Sequence, residues 1–161
     1  MAQIEPLAHL NYKVNKDILL LESDRARKSS KDYTDSRYPE VKIDNWKRSS
    51  HTSDYIKKII DDFGVAGKPG FYYLQPNANI ITHTDNGALC AISFLLSENN
   101  TALTIDAKDY HYENALLDTT LPHGLKKNGN TERVQFKISI KNENFLSVYN
   151  KLLNKNYINL S

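Results

Sequence analysis

A chain of 161 residues, 40% hydrophobic and 25% charged, has the make-up of a globular protein and enough length to build one core without cross-links. A formal net charge of +2, with no tract of Lys or Arg, excludes a protein built to bind nucleic acid through a basic surface. One cysteine excludes an intrachain disulfide, and no apolar run approaches the roughly 20 residues of a membrane helix.

The first residues, Met1 to Pro6, lack the basic and apolar stretches of a signal peptide, so a cytoplasmic protein is expected. Residues 15–28 carry Ile18, Leu19, Leu20 and Leu21 ahead of charged residues and predict a helix. Residues 29–51 hold Pro39 and many polar side chains, with Trp46 as an anchor, and predict loop with short strands. Thr52 or Ser53 can cap a second helix, with Asp54 in its first turn. Tyr55, Ile56, Ile59, Ile60 and Phe63 then follow helical spacing, and Gly64 can close it.

From Gly70 the texture changes. Residues 71–74 predict a strand closed by a turn at 75–78, residues 79–84 a second strand, and Asn86-Gly87 a turn. Residues 88–96 are apolar almost throughout, as a buried strand is, and here Cys90 reads as a small buried side chain. Asn99 and Asn100 belong to the polar stretch that breaks it. Short strands are expected at 101–106, 110–112 and 115–119, a loop at 122–130 and a long strand at 132–141. Asn142 or Asn144 can cap a final helix carrying Phe145, Val148, Tyr149, Leu152 and Leu153. Helices flanking seven or eight short strands predict a mainly β protein, a barrel or a two-sheet sandwich. One domain over 1–161 is expected, with support from 1–69, a barrel core at 70–141 and a C-terminal helix at 142–161.

The chemistry concentrates in four residues. His83 and Asp85 stand two apart in an expected strand and so share a face. His123, between Pro122 and Gly124, follows forty positions later, and Arg133 ten after that. Two imidazoles and one carboxylate on one side of a metal leave its other positions open, the donor set of an oxygen-activating iron site. With no second Cys, iron is favoured over zinc; the sequence leaves manganese and zinc open. Arg133 heads a strand whose alternation puts Arg133, Gln135, Lys137 and Ser139 on one face. An Arg facing a barrel interior needs an anion, and a dicarboxylate bridging metal and Arg133 supplies one. A surface salt bridge to Glu132 is the alternative. Gln135 shares that face, and the Tyr73 hydroxyl, on the strand before His83, could reach the same carboxylate; a core tyrosine is equally compatible. His111-Tyr112-Glu113 is a rival His-x-carboxylate, read as a polar strand face. His9 and His51, in polar segments, are read as exposed.

The segment from Leu74 through Pro76, Asn77 and Ala78 to His83-Thr84-Asp85, with the segment from Asn114 through Pro122-His123-Gly124 to Arg133 and Ile140, resembles the Fe(II)- and 2-oxoglutarate-dependent oxygenases. The similarity is to their aspartyl/asparaginyl hydroxylase-like and prolyl hydroxylase branches. It implies a double-stranded β-helix, an eight-stranded jelly roll of cupin type with flanking α-helices. It also implies Fe(II) on His83, Asp85 and His123, 2-oxoglutarate anchored on Arg133, and O2 as oxidant. The implied substrate is a prolyl or asparaginyl residue of a protein, or a free amino acid. A metal-dependent cupin isomerase or dioxygenase that does not use 2-oxoglutarate, and a non-catalytic ligand-binding barrel, are the alternatives.

Overall fold

The computed structural model describes residues 4–32, 46–98 and 101–159. The expected loop residue Pro39 and the turn residues Asn99 and Asn100 lie outside the described residues. In chain order the elements are β1 (Leu7–His9), α1 (Lys16–Arg27), β2 (Lys31–Asp32), β3 (Trp46–Ser50), α2 (Asp54–Phe63), β4 (Gly67–Leu74) and β5 (Ile80–His83). There follow β6 (Cys90–Leu95), β7 (Leu103–Ile105), β8 (Lys108–Tyr110), β9 (Asn114–Leu117), β10 (His123–Leu125), β11 (Arg133–Ile140) and α3 (Phe145–Asn154).

The helices begin where their caps dictate. Asn15, Ser53 and Asn144 each accept a hydrogen bond from a backbone N–H three residues on, satisfying a donor that the first turn leaves orphaned. Gly64 ends α2 at φ 67°, the left-handed conformation that glycine adopts without a Cβ clash.

The strands form two antiparallel sheets. The larger runs β1-β9-β6-β11-β4-β3-β2 and the smaller β5-β10-β7-β8. The eight strands from β4 to β11 divide four and four between them. Strands from the first third, expected only as support, extend both edges of the larger sheet: β1 pairs with β9, and β3 with β4.

The alternation of β11 decides what lies on each side of this sheet. Val134, Phe136, Ile138 and Ile140 face outward into the main core, with Phe71 and Tyr73 of β4 and Ile92 and Phe94 of β6. Ile59 and Phe63 of α2, Leu19 of α1 and Val148 and Leu152 of α3 close over them. Each such buried side chain contributes about 1.5–3 kcal/mol of apolar transfer energy. The helices thus take the greasy face, and the opposite face, carrying Arg133, Gln135, Lys137 and Ser139, turns toward the smaller sheet.

Three elements differ from expectation. Residues 123–125 are a strand rather than loop, because β10 is paired on both sides, with β5 and with β7. The strand expected at 110–112 ends at Tyr110: β7 and β8 form a hairpin turning at Asp106 and Ala107, with φ of 50° and 66°. Asp85 lies beyond the end of β5, in the following loop, where its N–H donates to the Thr119 carbonyl at 3.1 Å.

Candidate metal centre and its cavity

His123 and His83 are direct cross-strand partners of β10 and β5. Gly124 makes this approach possible: a Cβ there would sit 2.7 Å from the Ile80 carbonyl oxygen and 3.0 Å from that of Ile81. The imidazole ring centroids are 4.6 Å apart. His83 Nδ1 stands 2.7 Å from the Ile81 carbonyl oxygen, and His123 Nδ1 2.8 Å from that of Leu121. A carbonyl only accepts, so Nδ1 carries the hydrogen in both rings, and each ring, when neutral, presents a lone pair at Nε2.

Both Nε2 atoms meet the same carboxylate oxygen. Asp85 Oδ1 is 3.0 Å from His123 Nε2 and 3.5 Å from His83 Nε2. The His83 nitrogen is buried with no good hydrogen bond. Two lone pairs directed at a carboxylate repel unless a cation lies among them. The three donor atoms lie within 4.8 Å of one another. Metal bonds of about 2.1 Å at right angles set neighbouring donors about 3.0 Å apart, close to the two edges seen here. The residues therefore fit a divalent metal held on one face. His111 and Glu113 take no part in this group.

Lys137 donates to the other oxygen, Asp85 Oδ2, at 3.1 Å. Burial pushes the Asp85 carboxyl up, but the Lys137 ammonium beside Oδ2 pulls it the other way, and the carboxyl is held well below the usual carboxylate range.

Arg133 lines the same cavity as His83 and His123, with apolar walls from Ile80, Leu103 and Ile105. The residue is 3% exposed. Its contacts are the Thr101 carbonyl at 3.1 Å, Gln135 Oε1 at 3.4 Å and the Tyr112 hydroxyl at 3.4 Å. Among the described residues no carboxylate pairs with it, and Glu132, the alternative partner, is taken in two hydrogen bonds by Arg27. A buried guanidinium with only neutral acceptors is a site for an anion.

Tyr73 does not join this cavity, which corrects the expectation placed on it. It pairs in register with Val134, on the core side of β11. There its hydroxyl donates to the Ser23 carbonyl at 2.7 Å, and Arg27 stacks on its ring at 4.2 Å. The neighbouring Tyr72 pairs with Gln135 and faces inward. The tyrosine beside Arg133 is instead Tyr112, whose hydroxyl also lies 3.0 Å from Ser93 Oγ. Burial of Tyr112 was hidden by its polar neighbours His111 and Glu113. Lys137 and Trp46 also line this cavity, and the polar period of β11 is the sequence signal that puts Lys137 beside Arg133. His51 is not free in solvent either: its Nε2 stands 3.0 Å from Glu22 Oε1.

No protein-family model and no curated protein matches the chain. Solved structures do resemble it. A prolyl hydroxylase from Trichoplax adhaerens, in complex with a hypoxia inducible factor oxygen degradation domain peptide fragment, superposes with a TM-score of 0.63 at 13% identity. The match covers 84% of this chain and 82% of that one. A Pseudomonas putida prolyl-4-hydroxylase gives 0.58 at 12% identity, over 84% of this chain and 90% of that one. Together with its two antiparallel sheets, the likeness identifies this chain's fold as the double-stranded β-helix with flanking helices.

Proposed function

We propose that the chain is an Fe(II)- and 2-oxoglutarate-dependent dioxygenase. It hydroxylates an unactivated C–H bond of a prolyl or asparaginyl residue, or of a free amino acid, and releases succinate and CO2. One observation carries this reading: two imidazole nitrogens and a carboxylate oxygen converge beside a cavity that is also lined by Arg133, a buried cation without a carboxylate partner among the described residues.

His83, Asp85 and His123 would hold the metal through Nε2, Oδ1 and Nε2. When bound, the iron supplies oxygen activation coupled to decarboxylation of the keto acid. Lys137 occupies Asp85 Oδ2 and so presents Oδ1 alone to the centre. Arg133 takes the far carboxylate of the keto acid through its planar fork, with the Tyr112 hydroxyl beside it. Ile80, Leu103 and Ile105 keep water from the cavity, which strengthens both ionic contacts. The likeness to two prolyl hydroxylases supports the hydroxylase class, and the peptide held by the Trichoplax protein supports a peptide substrate. A cupin-type reaction without the keto acid leaves Arg133 with no anion, and a non-catalytic barrel leaves the imidazole lone pairs unexplained.

The test is conversion of 2-oxoglutarate to succinate by the purified protein with Fe(II) and O2. His83→Ala and His123→Ala should each abolish it. Turnover at the wild-type rate in either variant refutes the assignment.

A further inference from the structure

A second cavity opens beside the metal cluster. Asp85 and Lys137 lie at its inner end and Trp46 is shared with the first cavity. From there it runs outward over the inner face of β3, β4 and β11, with a volume of about 120 Å³. Register fixes its lining. Lys68 pairs with Ser139, so Lys68, Ser139 and Lys137 share one face, and Lys141 follows at the same period. Arg48 pairs with Tyr72 on the neighbouring strand and adds a further cation to that face.

The charge arrangement is one-sided. Asp85 is the one carboxylate among the described residues lining this groove, and it is committed to the histidines and Lys137. Lys68 and Lys141 are exposed, and neither forms an ion pair among the described residues. Lys137 and Lys141 are both diagonal neighbours of Lys68, within reach of mutual repulsion. A groove lined mainly by one sign of charge concentrates counter-ions of the other sign.

Length selects the kind of anion. Lys141 stands one residue past the end of β11, so from Lys137 to Lys141 the chain spans at most about 13 Å, with same-side strand positions about 7 Å apart. A free amino acid is too short to meet both ends. An extended peptide repeats its same-side positions at that interval.

We propose that this groove is the substrate seat and that the substrate is an acidic peptide segment, drawn along Lys141 and Lys68 toward the metal cluster. The word substrate rests on the function proposed above; the anion preference of the groove does not.

Trp46 is the single tryptophan of the chain and lines the groove, so its emission reports occupancy. The full-length, metal-loaded protein is titrated under argon with a capped peptide of four Pro-Glu repeats and with its Pro-Gln counterpart. The acidic peptide should bind about tenfold more tightly at low salt, and the difference should shrink as ionic strength rises. Lys68→Glu with Lys141→Glu should remove the preference, and Lys68→Gln with Lys141→Gln should reduce it; both pairs change exposed residues. Equal affinity for the two peptides, or a preference that survives charge reversal, overturns the proposal. Free glutamate competing as well as the peptide at equal carboxylate concentration overturns the peptide assignment. Succinate formation by the wild-type protein reads the catalytic assignment separately. Missing turnover with intact discrimination rejects the catalysis alone, and turnover without discrimination rejects the groove alone.

Discussion

Replacing Arg133 with Met separates two effects that oppose each other. Without ligand, Arg133 is a buried cation with a single contact inside the usual hydrogen-bond range among the described residues, the Thr101 carbonyl at 3.1 Å. The contacts to Gln135 and Tyr112, both at 3.4 Å, lie outside it. Exchanging a buried charge that has no ionic partner for an apolar side chain of similar volume removes its desolvation cost and is neutral or stabilising. The ligand-free variant should therefore be at least as stable as the wild type. With 2-oxoglutarate the order reverses. At a concentration one hundred times its dissociation constant, the keto acid stabilises the wild type by about 2.7 kcal/mol. Losing one partner of a buried ion pair costs about 2–5 kcal/mol, a rise of about 30-fold or more in dissociation constant. The same ligand concentration then stabilises the variant by about 0.9 kcal/mol or less. Urea denaturation of both proteins with Fe(II) under argon, with and without 2-oxoglutarate, measures all four states. A ligand-free variant weakened by more than about 1 kcal/mol that keeps the full ligand-induced gain would refute the role given to Arg133.

Gly124→Ala forces a Cβ to within 2.7 Å of the Ile80 carbonyl oxygen, so β5 must move away from β10. A loss of about 1–3 kcal/mol by denaturation, together with weakened metal binding, is expected; wild-type values for both would show that the two histidines do not depend on this approach. Cys90 is fully buried, and burial, reinforced by Asp118 and Glu143, pushes its thiol up to about 12. At pH 8 it should therefore react with a thiol reagent only as fast as the protein opens. Labelling at the rate of a free thiol would contradict the packing of β6 described here.

The elements legible in the sequence were those with a long period or a chemical boundary. Residues Ser53 and Gly64 mark the ends of α2, and eight alternating residues of β11 separate a core face from a polar one. The short strands carried no such signal. β10 has three residues, with Gly124 at its centre, and becomes a strand only through partners far away in sequence. The hairpin at Asp106 and Ala107 lacks the glycine that usually marks two positive φ values. In the candidate site, the histidines, Asp85 and Arg133 were visible as residue types at a spacing. The choice among tyrosines was not, because it depends on register. Pairing of Tyr73 with Val134 turns it to the core, whereas Tyr112 comes inside from an irregular segment. Asp85 was expected on the strand and reaches the histidines from the loop, anchored through its backbone to Thr119.

The most direct measurement adds Fe(II) and then 2-oxoglutarate to the protein without oxygen and records its visible spectrum. Chelation of the keto acid by iron on His83, Asp85 and His123 predicts a charge-transfer band that grows with 2-oxoglutarate, disappears in His123→Ala and needs far more keto acid in Arg133→Met. A featureless spectrum at saturating metal and keto acid contradicts the account, as does an equal band in His123→Ala.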